Sequence, residues 1–386
     1  MEHFDSALLL FSNLKMNEED WSAVIPSQEE KEELKQKIRK IINELEKYIS
    51  ESGAKAKVIP VGSTAKDTFL KGSSDIDIFI VSDKYQDLFS SIKYFKPSGK
   101  VKRGELLIWN YRDGSYDVDL VFVPPEHPKI ETLKHTEFYN KHLTNRMRDE
   151  VRKAKAFFRS HGVYKAEIGG ITGVAIEELI RQKETFENLC RYIANHDLED
   201  IWLQDPTTSR PRNLLASVNK TRWKQTQKAC REYLKTRKID LKPFTEEDFR
   251  QRYSDRTIIK CERKYDTATD YHTALSLCNK AGNQTKSHEH DITFLCDSYV
   301  ENHILIALKT NPEKLPKYKE VCIPEKMTEA IKNFKQQHPE ANTYKKDGQI
   351  CALIKRSITN PEKYMANQLI ERMQKRGYKC IIEKVI

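Results

Sequence analysis

The sequence of 386 residues has no apolar run approaching the roughly 20 residues that a membrane-spanning helix needs. Its N-terminal stretch MEHFDSALLLFSNLKMNEEDW carries acids where a signal or transit peptide has none, so a cytoplasmic or nuclear location is expected. No cysteine precedes Cys190. The eight present (Cys190, Cys230, Cys261, Cys278, Cys296, Cys322, Cys351, Cys380) form no CxxC pair and have no histidines at zinc-finger spacing. They are expected to be reduced, mostly buried thiols. Internal repeats and low-complexity segments are also absent, which excludes solenoid and tail-like architectures.

What is present is a chain long enough for two to four domains, 38% hydrophobic, with 67 Lys and Arg against 57 Asp and Glu. The formal charge of +10 is spread along the chain. It suits a polyanionic partner or simply a lysine-rich surface, and composition alone does not choose.

After Pro26, Ser27 and Glu30 form a capping-box pattern. Leu34, Ile38, Ile41, Ile42, Leu45, Tyr48 and Ile49 then follow at helical spacing. Beyond lie a strand at 58–61, a turn and short helix at 64–70, a strand at 75–81 and a helix at 85–95. ELLIWNY and YDVDLVFV flank an Arg112-Asp113-Gly114 turn and read as a hairpin. The pattern predicts an α+β fold, a small mixed sheet with helices on one side. From about Phe138 it turns helical, in the stretches HLTNRMRDEVRKAKAFFRSHGVY, TGVAIEELIRQKETFENLCRYIANHD and TRWKQTQKACREYLKTRK. Past Lys242 it becomes α+β again, with apolar runs at 304–308 and 350–354 and a last helix at 361–375.

The informative stretch is VGSTAKDTFLKGSSDIDIFIV. Asp75 and Asp77 sit two apart on a strand, where alternate residues point to one side. Two carboxylates on one face repel each other and are costly unless a cation lies between them. Magnesium suits that place, because it takes carboxylate oxygens together with substrate phosphates. A third acid comes from SYDVDLVF, where Asp119, and with less claim Asp117, faces the same point from a neighbouring strand. Three such acids hold two metal ions about 4 Å apart, one activating an attacking 3′ hydroxyl and the other clamping a triphosphate. Gly62 lets the backbone approach closely, and Ser63 with the following N–H groups can hold phosphate oxygens. A lone DxD is more simply a solvated acidic turn. Here the Gly-Ser before it, the apolar flanks Ile76, Ile78, Phe79 and Ile80, and the second acidic strand make an ordered constellation. Asp75, Asp77 and Asp119 are therefore the expected catalytic residues and metal ligands, and nucleotidyl transfer is the expected reaction.

This constellation resembles the polymerase β superfamily of nucleotidyltransferases, in which a GS is followed by DxD and then by a third strand acid. Poly(A) polymerases, oligoadenylate synthases and cyclic-dinucleotide synthases share that signature. The next segment, KAFFRSHGVYKAEIGGITGVAIEELI, resembles the helix and glycine-containing loop of the archaeal (class I) CCA-adding enzymes, with Lys155 and Tyr164 matching residue by residue. LQDPTTSRPRNLLASVNKTRWKQTQKACREYL resembles that family's DPVDxxRNVAAxxS segment, with Asp205-Pro206 at its start and Arg212-Asn213 at its centre. The likeness is good over residues 20–235 and thin afterwards. Two departures sit close to the site. Lys66 stands where the family more often has Arg, and Tyr139 where it often has a His.

The resemblance implies a polymerase β-like palm (1–137), a helical neck (138–240) and a C-terminal body and tail that binds tRNA (241–386). It implies template-independent addition of CCA to tRNA from CTP and ATP with two Mg2+ ions. It also implies a nucleotide site of Gly62, Ser63, Lys66, Thr136, Tyr139, Lys155, Tyr164, Arg212 and Asn213. Within it, Thr136 and Lys155 contact the triphosphate, Tyr164 stacks near the nucleotide and Arg212 reads the base. A guanidinium serves the acceptors of cytosine O2 and N3 and adenine N1, whereas uracil N3–H and guanine N1–H meet it donor to donor. Lys314, Lys317, Lys345, Lys346, Lys355 and Arg356 are candidates for the RNA backbone. A homodimer stays open as an assembly state. The alternatives are a messenger synthase of the same superfamily, making oligoadenylate or a cyclic dinucleotide, and an inactive RNA-binding scaffold.

Overall fold

In the computed structural model, which describes residues 15–17, 21–72, 75–102, 106–127, 131–290 and 292–384, the chain divides into two units, Met1–Phe244 and Thr245–Ile386. Most of the N-terminal stretch quoted above, and Ser73 and Ser74, lie outside the described residues.

Among the described residues, the first elements of the first unit are β1 (Lys15–Asn17) and α1 (Gln28–Glu51). The Ser27 hydroxyl accepts from Glu30 N–H, and Glu30 accepts from Ser27 N–H, so the expected capping box starts α1. Leu34, Ile38, Ile41, Leu45 and Ile49 form its buried face. Then follow β2 (Lys57–Val61), α2 (Gly62–Ala65), β3 (Asp75–Val81), α3 (Tyr85–Phe95), β4 (Lys100–Lys102), β5 (Leu107–Asp113) and β6 (Tyr116–Val123). The sheet order is β2-β3-β6-β5-β4, and only the β3–β6 pair is parallel.

Alternation along β3 decides what faces what. Ile76, Ile78 and Ile80 join the core made by α1 and α3, while Phe79 joins Val61, Val121 and Val123 on the other face. Asp75 and Asp77 share the Phe79 side. The helix expected over 64–70 is instead the four-residue α2, beginning at Gly62. The chain leaves helical shape at Asp67, whose φ of 51° is left-handed, and Phe69 O and Asp67 O accept from the buried Arg152 guanidinium.

Five helices follow: α4 (Glu131–His142), α5 (Asn145–Ser160), α6 (Gly173–Lys183), α7 (Phe186–Asn195) and α8 (Lys220–Thr236). Thr144, Thr172, Thr185 and Asn219 each cap a helix N-terminus by accepting a backbone N–H. The second expected helical stretch breaks in two at Glu184, whose φ of 68° is left-handed. Phe157, Phe158, Leu179, Leu189, Ile193 and Trp223 lie in one core of these helices. The unit ends with β7 (Lys238–Asp240), which pairs antiparallel with β1.

The second unit runs α9 (Glu246–Arg252), β8 (Thr257–Glu262), α10 (Thr267–His288), β9 (Thr293–Val300), β10 (His303–Asn311), β11 (Tyr318–Pro324), α11 (Thr328–Gln337), β12 (Thr343–Lys346), β13 (Gln349–Lys355), α12 (Pro361–Lys375) and β14 (Cys380–Lys384). An antiparallel sheet of order β14-β8-β10-β9 packs against α10 and α12. With β11 to β13 set aside as an insertion forming its own sheet, this is the β-α-β-β-α-β order of ferredoxin-like folds.

The cysteine expectation needs correction here. Cys190, Cys230, Cys278 and Cys296 are free, the first three buried. Cys261–Cys380 and Cys322–Cys351 are disulfides instead. Each pair stands directly opposite across two antiparallel strands, with Cα atoms 4.1 Å apart. Sequence separations of 119 and 29 conceal that register. No helix among the described residues is long and apolar enough to cross a membrane.

Candidate active site

The parallel register of β3 and β6 sets Asp75 beside Asp117 and Asp77 beside Asp119. Four carboxylates thus share one sheet face, the one opposite α1 and α3. The side chain of Asp119 is fixed from β5, where Asn110 Nδ2 donates to its Oδ1 at 2.8 Å. Asp77 is approached from the other side by Gly62. A Cβ built on Gly62 would lie 2.5 Å from Asp77 Oδ2, and the φ of 77° there is left-handed. Glycine is required on both counts. Gly62→Ala is expected to cost about 1–2 kcal/mol of stability and to lower turnover at least tenfold by displacing the Asp77 carboxylate. Thermal unfolding read beside single-turnover rates checks this, and an unchanged rate would refute the displacement.

A second cluster lies where helices α5 and α6 meet the loop after α2. Glu177 on α6 is fully buried and accepts from Lys66 Nζ at 2.5 Å, Lys155 Nζ at 3.1 Å and Thr68 Oγ1 at 2.8 Å. Lys155 also donates to Thr68 O at 3.1 Å and to Thr68 Oγ1 at 2.9 Å. Burial alone would raise the Glu177 pKa, but the charges of Lys66 and Lys155 and the hydrogen bonds from Lys66 and Thr68 outweigh it and pull the value down to about 2. For Lys155 the balance goes the other way. Burial outweighs the Glu177 charge, and Lys66 adds repulsion, so its pKa falls to about 8.

The neighbouring acid Glu178 accepts from Tyr139 Oη at 3.3 Å and from both ends of the Arg181 fork. Lys66 Nζ stands 5.6 Å from the centroid of the Tyr139 ring. Burial, then the charges of Glu178 and Glu177, push the Tyr139 phenol far above its usual range. The Tyr164 phenol is raised in the same way, with Asp75 among the contributing charges. The Tyr164 hydroxyl and Lys155 Nζ converge on the start of α6, 3.4 and 3.7 Å from a Cβ built on Gly173.

Arg212 sits on a loop closed by an isolated bridge between Gln204 and Asn213. Its guanidinium lies 3.4 Å from the buried Asp205 carboxylate, which also meets His135 Nε2 at 2.8 Å. His135 and Thr136 are both buried on α4.

Residues 35–139 match the family described as a nucleotidyltransferase domain. A CCA-adding enzyme of Thermoplasma acidophilum is 34% identical over 185 residues, 44% of this chain and 43% of that protein. A second CCA-adding enzyme sequence from that organism is 32% identical over 185 residues, 44% of this chain and 83% of that protein. The chain belongs to the CCA-adding enzyme family. It spans less than half the length of the first of these relatives. The solved structure of the Cid1 poly(U) polymerase with magnesium and 3′-dATP superposes on 55% of this chain and 90% of that one, with a TM-score of 0.45 at 11% identity.

The candidate acids Asp75, Asp77 and Asp119 lie on two strands in register. Gly62 packs against them, while Lys66, Lys155 and Tyr139 share the Glu177 and Glu178 network. The carboxamide of Asn213 is engaged by its own loop, its oxygen accepting from Leu203 N–H at 3.2 Å and Leu215 N–H at 3.0 Å. Glu177, Glu178, Thr68, His135 and Asn110 were not anticipated. Two acids inside the apolar run AIEELI were the available signal, since buried acids need partners. The Asn110 and His135 contacts had none.

Proposed function

We propose that the chain adds C, C and A to the 3′ end of tRNA without a template, from CTP and ATP, releasing pyrophosphate. The observation that carries this reading is the β3–β6 register, which sets Asp75, Asp77 and Asp119 on one face in a chain of the CCA-adding family. Those oxygens are hard ligands on adjacent strands and fit magnesium. Bound there, a pair of such ions supplies activation of the 3′ hydroxyl and neutralisation of the departing charge.

The protein's own residues hold the reactants. Asn110 aims Asp119, and Gly62 leaves room for Asp77. Ser63 takes the triphosphate, Tyr164 walls the nucleotide and Arg212 meets the acceptor edges of cytosine and adenine, while Lys66, Lys155, Thr136 and Tyr139, at most 7% exposed, support the site from behind. On this reading the palm (1–137) supplies the acids, the neck (138–240) the nucleotide contacts and the remainder (241–386) the grip on RNA. Lys314, Lys317, Lys345, Lys346 and Lys355 are exposed and suit an RNA backbone. Arg356 does not suit it, because its guanidinium is paired with Glu289 and only 8% exposed.

The test is incubation with magnesium, a labelled tRNA lacking its CCA end and each nucleoside triphosphate alone and mixed. Two additions with CTP and a third only with ATP are expected. An unextended tRNA beside a soluble oligoadenylate or cyclic product would replace this reading with a messenger synthase.

A further inference from the structure

Asp205 stands at the base of the loop that carries Arg212. Its backbone N–H donates to Arg212 O at 2.9 Å, and Leu214 N–H donates to Leu203 O at 2.8 Å, so the two arms of the loop are tied together. The carboxylate is buried and its two oxygens do different things. Oδ1 accepts from Thr207 N–H at 2.9 Å and Thr207 Oγ1 at 2.7 Å, which turns the loop. Oδ2 lies 2.8 Å from His135 Nε2 and 3.4 Å from Arg212 Nη1. The Arg212 side chain is 49% exposed, so one edge of its guanidinium is anchored while much of the group remains accessible.

We infer that Asp205 is a positioning residue for nucleotide selectivity, fixing the direction in which Arg212 presents its N–H donors to the incoming base. This rests on Arg212 reading the base, as proposed above. The physical reason is that uracil O4 and guanine O6 are acceptors too. An arginine free to swing through its rotamers can satisfy itself on those atoms and lose the distinction that N3 and N1 offer. A guanidinium with one Nη held beside a buried carboxylate cannot follow them. Burial would push the Asp205 carboxyl up, but the Thr207 amide and hydroxyl and His135 hold it below the usual carboxylate range, so the anchor stays charged at neutral pH.

The experiment measures kcat/KM for CTP, ATP, UTP and GTP on an acceptor tRNA, with thermal unfolding, for the full chain and for Asp205→Asn, Arg212→Ala and the double variant. Asp205→Asn keeps the size and the acceptor facing Thr207 but removes the charge facing Arg212. Its expected effect is a fall of about tenfold or more in the CTP-over-UTP and ATP-over-GTP ratios, with the double variant no less selective than Arg212→Ala. A purely structural role would lower the unfolding temperature and overall rate and leave the ratios alone, which overturns the inference. Full selectivity in Arg212→Ala would instead sink the base-reading role. Lost selectivity there with intact selectivity in Asp205→Asn sinks only the positioning role. Arg212→Lys is the second variant should Asp205→Asn not fold. One ammonium cannot both sit on Asp205 and present a fork, so wild-type ratios with lysine would also overturn the inference.

Discussion

Asp77→Asn and Asp119→Asn are each expected to lower nucleotidyl transfer by about 10³-fold or more, because stabilisation of transition-state charge by a bound metal is worth several kcal/mol. The two carboxylates are register neighbours on parallel strands, on the face opposite the helix-packed isoleucines. Either substitution keeps side-chain volume and relieves like-charge repulsion, so the unfolding temperature should hold or rise slightly while turnover collapses. Magnesium titration followed by calorimetry gives a readout independent of turnover. Substitution of either acid with unchanged magnesium binding and unchanged rate would remove the acids from the mechanism.

Glu177→Ala should give the largest loss of stability. It strands the ammoniums of Lys66 and Lys155, which are only 5% and 3% exposed, and breaking a buried pair by removing one partner costs about 3–5 kcal/mol. For a unit of this size that lowers the melting temperature by roughly 10 °C. Glu177→Gln, which keeps one acceptor, should lose less. The pH signs follow from the two shifts. The Glu177 pKa is depressed from 4.5 to about 2, so its contribution is fully present above 4.5 and is lost as the pH falls through about 2. The Lys155 pKa is depressed from 10.5 to about 8, so the unfolded chain binds more protons between those values and stability rises with pH there. In activity the same group gives the opposite slope. Affinity for the triphosphate should weaken above pH 8 as Lys155 loses its charge. A melting temperature unchanged in Glu177→Ala, or a nucleotide KM flat through pH 9, would contradict this account.

The candidate acids were legible in the sequence for a local reason. Period-two alternation puts Asp75 and Asp77 on one face whatever surrounds them, a capping box declares the start of α1, and an ordered set of polar residues marks the family. Asp119 beside Asp77 was legible only as a second acidic strand. The pairing itself belongs to the β3–β6 register, which depends on how residues 82–115 cross over and return.

Other features were decided entirely by tertiary structure. Glu177 meets Lys66 across 111 residues and Thr68 across 109, and His135 meets Asp205 across 70. No periodicity records such distances, because a buried charge selects its partner by proximity after packing. The disulfides fall in the same class. Two cysteines 119 residues apart face each other because β8 and β14 are neighbours, and that order arises only once α10 and α12 have returned the chain to one sheet. Composition, capping and alternation thus determined most of the elements and the face on which the candidate acids lie. Strand register and helix packing decided which acid holds which base, because those contacts exist only between segments far apart in the chain.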